Sequence, residues 1–232
     1  MDADKGARPW QGKLEIGDGW ALWAGSAGDS RLHRHLAAQA VWADRPVGVL
    51  SEQGLTAEAT LFLIDPLVSH RLLPASNVRV LFLDPSQTGP LSLAALDKME
   101  GANAGAIHLP SDKPRLQFWG RAWTAPDSRQ AVAAALAVID LRIADGALKL
   151  MDVAPSAGLS VERLRHVFAD AIGMPFKRYV LWRRLQRAVT QLASGDDVTT
   201  AAHAAGFADA AHLARTMRSM FGISASQLVG HA

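Results

Sequence analysis

The chain has 232 residues, of which 49% are hydrophobic and 20% charged, enough for one large core or two small ones. It contains no cysteine, which excludes disulfides, thiolate zinc sites and cysteine nucleophiles. The net charge is only +2, but its distribution is uneven: residues 1–140 hold 13 Lys/Arg against 15 Asp/Glu, and residues 141–232 hold 11 against 7. Eighteen of the 24 basic residues are Arg, whose planar fork suits phosphate and guanine.

The opening stretch MDADKGARPW carries four charges and no apolar run, so no secretory leader is read there. The longest apolar stretch, Ala131–Ile139, is far too short to span a bilayer, and the chain is expected to be cytoplasmic. From Trp10 to Leu83, short apolar runs alternate with turn formers. Trp20–Trp23, Val47–Leu50, Leu61–Ile64 and Val78–Leu83 are each followed by Gly, Asp-Pro or polar residues. That rhythm predicts a small antiparallel β-barrel or sandwich.

Helical spacing begins after Pro90. It covers Leu91–Met99, then Asp127–Ala144, where Val132, Leu136, Ile139 and Ile143 share a face. Asp127 is placed to cap the start of that helix and Gly146 to end it. Phe118-Trp119, in the irregular stretch between, is expected to pack the helical layer. Beyond Leu148 all is helix and short turns.

Two segments of this C-terminal third repeat one plan. A short helix over about Leu148–Ala157, the turn Gly158-Leu159-Ser160 and a helix through Phe168 to Gly173 form the first. Val198–Ala205, the turn Gly206-Phe207-Ala208-Asp209 and a helix through Met217 to Gly222 form the second. Short helix, glycine turn and a second helix opening on Ser or Asp is the helix-turn-helix pattern. Ser160 and Asp209 can accept from the free amides of the second helices, and Gly158 and Gly206 can supply the left-handed residue ending the first. The joining helix starts at Pro175 and carries Lys177, Arg178, Arg183, Arg184 and Arg187 around the apolar face Phe176, Val180, Leu181, Leu185, Ala188 and Leu192.

Gly158-Leu159-Ser160-x-x-x-Leu164-x-x-x-Phe168, Tyr179-x-x-x-Arg183-Arg184-Leu185-x-x-Ala188 and Gly206-Phe207-x-Asp209-x-x-His212-Leu213-x-Arg215, ending Phe221-Gly222-x-Ser224, together resemble the DNA-binding domain of the AraC/XylS-type bacterial regulators. The resemblance covers about Ala147 to Leu228. Departures are Leu213 and Met217 where aromatics are usual, Ala225 in place of a proline, Leu228 in place of an aromatic, and Pro155 inside the first short helix. Ala210 and Ala211 stand where longer side chains would reach bases.

The resemblance implies base contacts from Glu162 and His166, with Arg165 beside them, in the first unit, and from His212 and Arg215 in the second. Ser160, Lys177, Arg178, Arg183, Arg184, Arg187 and Arg218 are expected at phosphates, although one of the adjacent pair Arg183 and Arg184 should be structural, since neighbours on a helix point about 100° apart. Neutralising six or so phosphates would cost roughly 10³-fold in affinity between about 50 and 200 mM salt.

In the N-terminal half, His33-Arg34-His35 places two imidazoles on one face of a strand, and His70 adds a third. This resembles the metal-binding pattern of cupin barrels, except that Gln39 stands where those barrels supply a carboxylate. Asp65-Pro66-Leu67-Val68-Ser69-His70 is similar to a turn in the cupin-like, often metal-free sensor domains of the same regulators. His33, His35, His70 and Trp42 are therefore expected to line a ligand pocket, with no cofactor and no metal, while three imidazoles without a carboxylate remain an alternative metal site. Trp20, Trp23 and Phe62 are expected in the core, and for Trp42 the core is the alternative to the pocket. No Gly-x-Ser-x-Gly or phosphate-cradling loop is present, and the chain is not expected to be an enzyme.

The resulting expectation is an α+β protein. A cupin-like antiparallel β-barrel sensor spans 1–90, helices for dimerisation span 91–145, and an all-α double helix-turn-helix domain spans 146–232. Its partners would be double-stranded promoter DNA, RNA polymerase, a small-molecule effector and a second copy of itself, with no membrane. The competing readings are a metal-dependent cupin enzyme with a DNA-binding tail and a weakly selective architectural DNA binder.

Overall fold

The structure is a computed structural model that describes residues 8–17, 19–84, 106–113, 116–119 and 130–223. The helix expected over Leu91–Met99, the cap Asp127 and the positions Ser224, Ala225 and Leu228 lie outside them. The chain divides into two compact units, one formed by Met1–Trp123 with Met217–Ala232, the other by Thr124–Thr216.

The first unit is built on a sheet of β1 (Gln11–Gly17), β2 (Trp20–Ala27), β3 (Ala38–Ser51), β4 (Thr56–Ile64), β5 (His70–Leu72), β6 (Ala75–Leu83) and β7 (Ala106–Leu109). The order is β1-β2-β6-β3-β4-β7, with β5 on β3. Val47–Leu50, read as a separate strand, is the second half of the 14-residue β3. The register against β4 shifts between Trp42 and Val47, where Pro46 cannot donate to the ladder. β7 runs parallel to β4, and no described pairing joins β1 to β7. Among the described residues the sheet is therefore mixed and not closed into a barrel.

Both faces of this sheet are apolar and the strands alternate between them. Val41 and Ala43 of β3, Phe62 and Ile64 of β4, and Val78 and Val80 of β6 form one core with Trp23. Ala38, Ala40 and Trp42 of β3, Leu61 of β4, and Leu81 and Leu83 of β6 form the other with Leu22 and Phe118. Phe118 and Trp119, expected in the helical layer, pack on the sheet; the helix expected over Leu91–Met99 lies outside the described residues. The backbone amides of Phe118 and Trp119 are held by Asp65.

The second unit opens with α1 (Gln130–Arg142), which buries Val132, Ala135 and Ile139. Gly146 beyond it is left-handed (φ +86°), as its position predicts. Then come α2 (Leu150–Val153), α3 (Val161–Ile172), α4 (Phe176–Ala193), α5 (Val198–Ala204) and α6 (Ala210–Phe221), the last crossing into the first unit. Pro155 falls outside α2 because that helix is capped at Ala154. The ring of Phe168 on α3 meets Phe176 and Tyr179 of α4 edge-on, at 5.5 and 5.4 Å, and Leu164, Leu185 and Leu213 are fully buried. Burying each such side chain contributes about 1.5–3 kcal/mol, so α3 is held by its apolar stripe and its charged face stays free for solvent or ligand. No helix of the described residues is long and apolar enough to cross a membrane.

Candidate functional site

The start of α3 is fixed by Ser160, whose hydroxyl accepts from the Arg163 amide at 3.3 Å. Gly158 is left-handed (φ +63°), which lets the chain turn sharply into that cap. The first turns then present Glu162, Arg165 and His166 together on the exposed face. Glu162 Oε2 meets Arg165 Nη1 at 3.1 Å, and Glu162 Oε1 meets His166 Nε2 at 3.0 Å. Exposed pairs of this kind are worth well under about 1 kcal/mol, so an incoming base edge can displace them cheaply.

In the second unit Asp197 caps α5 by accepting from the Thr199 and Thr200 amides at 2.8 and 3.1 Å. Gly206 (φ +79°) makes the turn, and a Cβ there would lie 2.6 Å from the Ile143 carbonyl oxygen, so only glycine fits. The Asp209 carboxylate accepts the His212 amide and starts α6. Arg215 is exposed; His212 is half-buried, its ring edge-on to Phe207 at 5.1 Å. Ala211 is exposed at the head of the helix and offers only a methyl. Leu213 and Met217, which depart from the aromatics the resemblance leads one to expect, are both fully buried, so these positions serve the core.

The basic residues divide by environment. Lys177, Arg187 and Arg218 are exposed and Arg178 half-buried. Arg183 pairs with Asp140 of α1 at 2.8 Å. Arg184 is buried, its Nε donating to the Ile143 carbonyl at 3.1 Å and its Nη2 to the Gly146 carbonyl. This corrects the expectation that it holds a phosphate. It is the structural member of the adjacent pair, satisfying the carbonyls left at the end of α1. Arg184→Ala should therefore cost about 2–4 kcal/mol of stability by orphaning those carbonyls and opening a cavity. Urea unfolding checks this, and the salt dependence of DNA binding should not change; a salt slope reduced by about one would make it a phosphate contact after all.

In the first unit the three histidines do converge. His33 and His70 exchange both backbone hydrogen bonds at 3.0 Å, and His35 follows two residues later. Ring centroids are 4.5 Å apart for His33 and His70, 5.4 Å for His35 and His70, and 5.6 Å for His33 and His35. Burial holds His33 down to about 4 and His35 to about 3, against an ordinary value of 6.5, and keeps His70 well below it; the neighbouring histidines add to the shift at His35 and His70. Trp42 does not join them. On β3 it alternates to the other face and packs in the core with Leu22, Leu61 and Leu81, which corrects its assignment to the pocket. Gln39, on the histidine face, does join, its Oε1 3.2 Å from His35 Nε2.

Sequence reading missed the last wall of this cluster. Phe221, the final residue of α6, lies tilted against the His35 ring at 5.3 Å and meets Phe82 edge-on at 5.6 Å. The next residue, Gly222, accepts a hydrogen bond from the Arg31 amide at 3.0 Å. Phe221-Gly222 was visible as the end of a helix signature, but nothing local ties it to residues almost 190 positions earlier.

Two capped helix-turn-helix units joined by a long helix define a DNA-binding class of fold. Residues 153–230 match the family described as "Helix-turn-helix domain". An AraC-type DNA-binding-domain transcriptional regulator from Chromobacterium violaceum is 25% identical with a TM-score of 0.41, covering 43% of this chain and 89% of that chain. An apo ToxT variant from Vibrio cholerae is 10% identical with a TM-score of 0.60, covering 93% of this chain and 98% of that one. ToxT from Vibrio cholerae O395 is 11% identical with a TM-score of 0.54, covering 97% of this chain and 98% of that one. No curated protein matches the chain. The chain thus carries a helix-turn-helix domain at 153–230, C-terminal in sequence to a sheet domain, and its fold is similar to that of ToxT.

Proposed function

We propose that this protein is a sequence-specific transcription regulator that binds promoter DNA through its two helix-turn-helix units. The observation that carries the reading is the capped, exposed face of α3, where Glu162, Arg165 and His166 stand within reach of one another and of a major groove. Glu162 can accept from a cytosine amino group, while His166 and Arg165 can donate to guanine. Arg215 supplies the second contact, to guanine, with His212 beside it. Ser160, Lys177, Arg178, Arg187 and Arg218 face the phosphates, and Arg183 joins them by exchanging Asp140 for a phosphate. The two reading helices of one chain enter successive major grooves, about 34 Å apart. The sheet domain acts as the sensor or dimerisation module, its histidine cluster being the part open to regulation. The protein works as a homodimer that contacts RNA polymerase, and it is not an enzyme.

Anisotropy titrations with the protein's own upstream region and with random DNA test this. A large specificity ratio is expected; a ratio near one would leave only an architectural DNA binder, the reading that Ala210 and Ala211 favour. Arg215→Ala should cost about 1–3 kcal/mol on the preferred site and relax selection at one base pair, with little change on random DNA. Equal losses on both DNAs would make Arg215 a phosphate contact.

A further inference from the structure

The histidine cluster has a property that packing alone does not require. Each Nδ1 faces a backbone carbonyl, of Arg31 at 2.7 Å for His33, of Ala37 at 3.0 Å for His35 and of Val68 at 2.9 Å for His70. Donation from Nδ1 fixes the neutral tautomer whose lone pair is on Nε2. Second-shell carbonyls hold metal-binding imidazoles in this way. One ring nitrogen from each histidine lies within 4.8 Å of the other two, the one such metal-capable group among the described residues. His70 Nε2 is buried with no hydrogen-bond partner, a lone pair left without a donor. His35 Nε2 faces an oxygen, Gln39 Oε1, so two lone pairs meet. That mismatch is relieved by turning the amide over or by a cation held between them.

The same residues hold the chain's C-terminal segment. Arg31, whose carbonyl fixes the His33 ring, donates its amide to Gly222. Gly222 is left-handed (φ +70°), and a Cβ on it would lie 2.5 Å from the Arg31 carbonyl oxygen and 2.8 Å from His33 Nδ1. Phe221 covers the His35 ring.

We infer that His33, His35 and His70 form a site for one divalent transition-metal ion of the zinc, nickel, cobalt or copper class. Filling it fixes the Arg31–His33 segment, which lies outside the named strands and meets His70 only through an isolated bridge, and so tightens the seating of Phe221–Ile223. Three imidazoles suit these ions, and neutral donors without a carboxylate disfavour magnesium and calcium. A four-coordinate ion would have one position left for water or another ligand, and the Gln39 amide stands 3.2 Å from His35 Nε2. Coupling is reciprocal, so whatever loosens the Gly222 contact must weaken the metal by the factor by which the metal tightens it.

The test uses the full chain, stripped with EDTA and titrated with zinc chloride in a calorimeter. One ion per chain is expected. His33→Ala and His70→Ala should each weaken binding by more than the about 10–100-fold that loss of an outer-shell partner costs. Gly222→Ala should weaken it about 10-fold, and zinc should slow hydrogen exchange at the Arg31 amide by a similar factor. Failure of the wild-type chain to bind stoichiometrically, or binding unchanged in both histidine variants, overturns the site without reliance on any variant's folding. Unchanged exchange at Arg31 together with unchanged affinity in Gly222→Ala overturns the coupling.

Discussion

Asp65→Ala should destabilise the sheet unit by about 3–5 kcal/mol, because it removes the acceptor of several backbone amides at once. The side chain is fully buried and both oxygens are in use. Oδ1 accepts the amides of Phe118 at 2.8 Å and Trp119 at 3.0 Å; Oδ2 accepts the Ser111 amide at 3.1 Å and lies 3.2 Å from His108 Nε2. One carboxylate thus ties the end of β4 to β7 and to the segment that brings Phe118 into the core. Alanine would leave two buried amides, of Ser111 and Phe118, and the half-buried amide of Trp119 without acceptors, each costing about 1–3 kcal/mol if water cannot reach it. Asp65→Asn should cost less, because its one carbonyl oxygen still serves Phe118 and Trp119 while its NH2 meets the Ser111 donor. Urea midpoints measure the loss. Trp119 fluorescence reports release of the segment, since the Trp119 indole N–H is bonded to the Ile64 carbonyl at 3.0 Å. A loss below about 1 kcal/mol for alanine would show that solvent replaces the carboxylate.

Asp65 also marks where the sequence stops being legible. Asp65-Pro66 reads as a turn, and turn chemistry is local. Its bonds to residues 46, 53 and 54 positions away leave no trace in spacing. The C-terminal region was readable for the opposite reason. Ser160 and Asp209 cap within three residues, Gly158 and Gly206 turn where they stand, and the faces of α3 and α6 repeat with helical period. Convergence of His33, His35 and His70 could be anticipated from a His-x-His pair and a third imidazole. Trp42 was misplaced because which face a strand residue takes depends on a register that sequence does not print; the shift beyond Trp42 lies in the pairing with β4. Arg183 and Arg184 were separable in principle by their 100° offset, but deciding which turns inward needed the position of α1.

The metal-free protein should lose stability steeply as pH falls from about 6.5 toward 4. In the unfolded chain each of the three histidines takes up a proton near 6.5. In the folded chain burial keeps His33 neutral to about 4 and His35 to about 3, with His70 also held well below its ordinary value. Histidines with depressed folded values contribute their full stability above 6.5. Between 6.5 and 4 the unfolded state binds more protons than the folded one, so stability rises with pH and is lost on acidification. Near pH 5 the difference is on the order of two to three protons, a slope of about 3–4 kcal/mol per pH unit. Ordinary carboxylates titrate lower, mostly below about pH 4.5, so the interval from 6.5 to 5 isolates the histidines. Urea midpoints taken every half unit in EDTA measure the slope directly. A flat profile between 6.5 and 5 would mean that water reaches the imidazoles in the native state. A slope smaller by about one proton's worth, about 1.4 kcal/mol per pH unit, in a His35→Gln variant that still folds would assign it to this cluster, because His33 and His70 are held down mainly by their own burial.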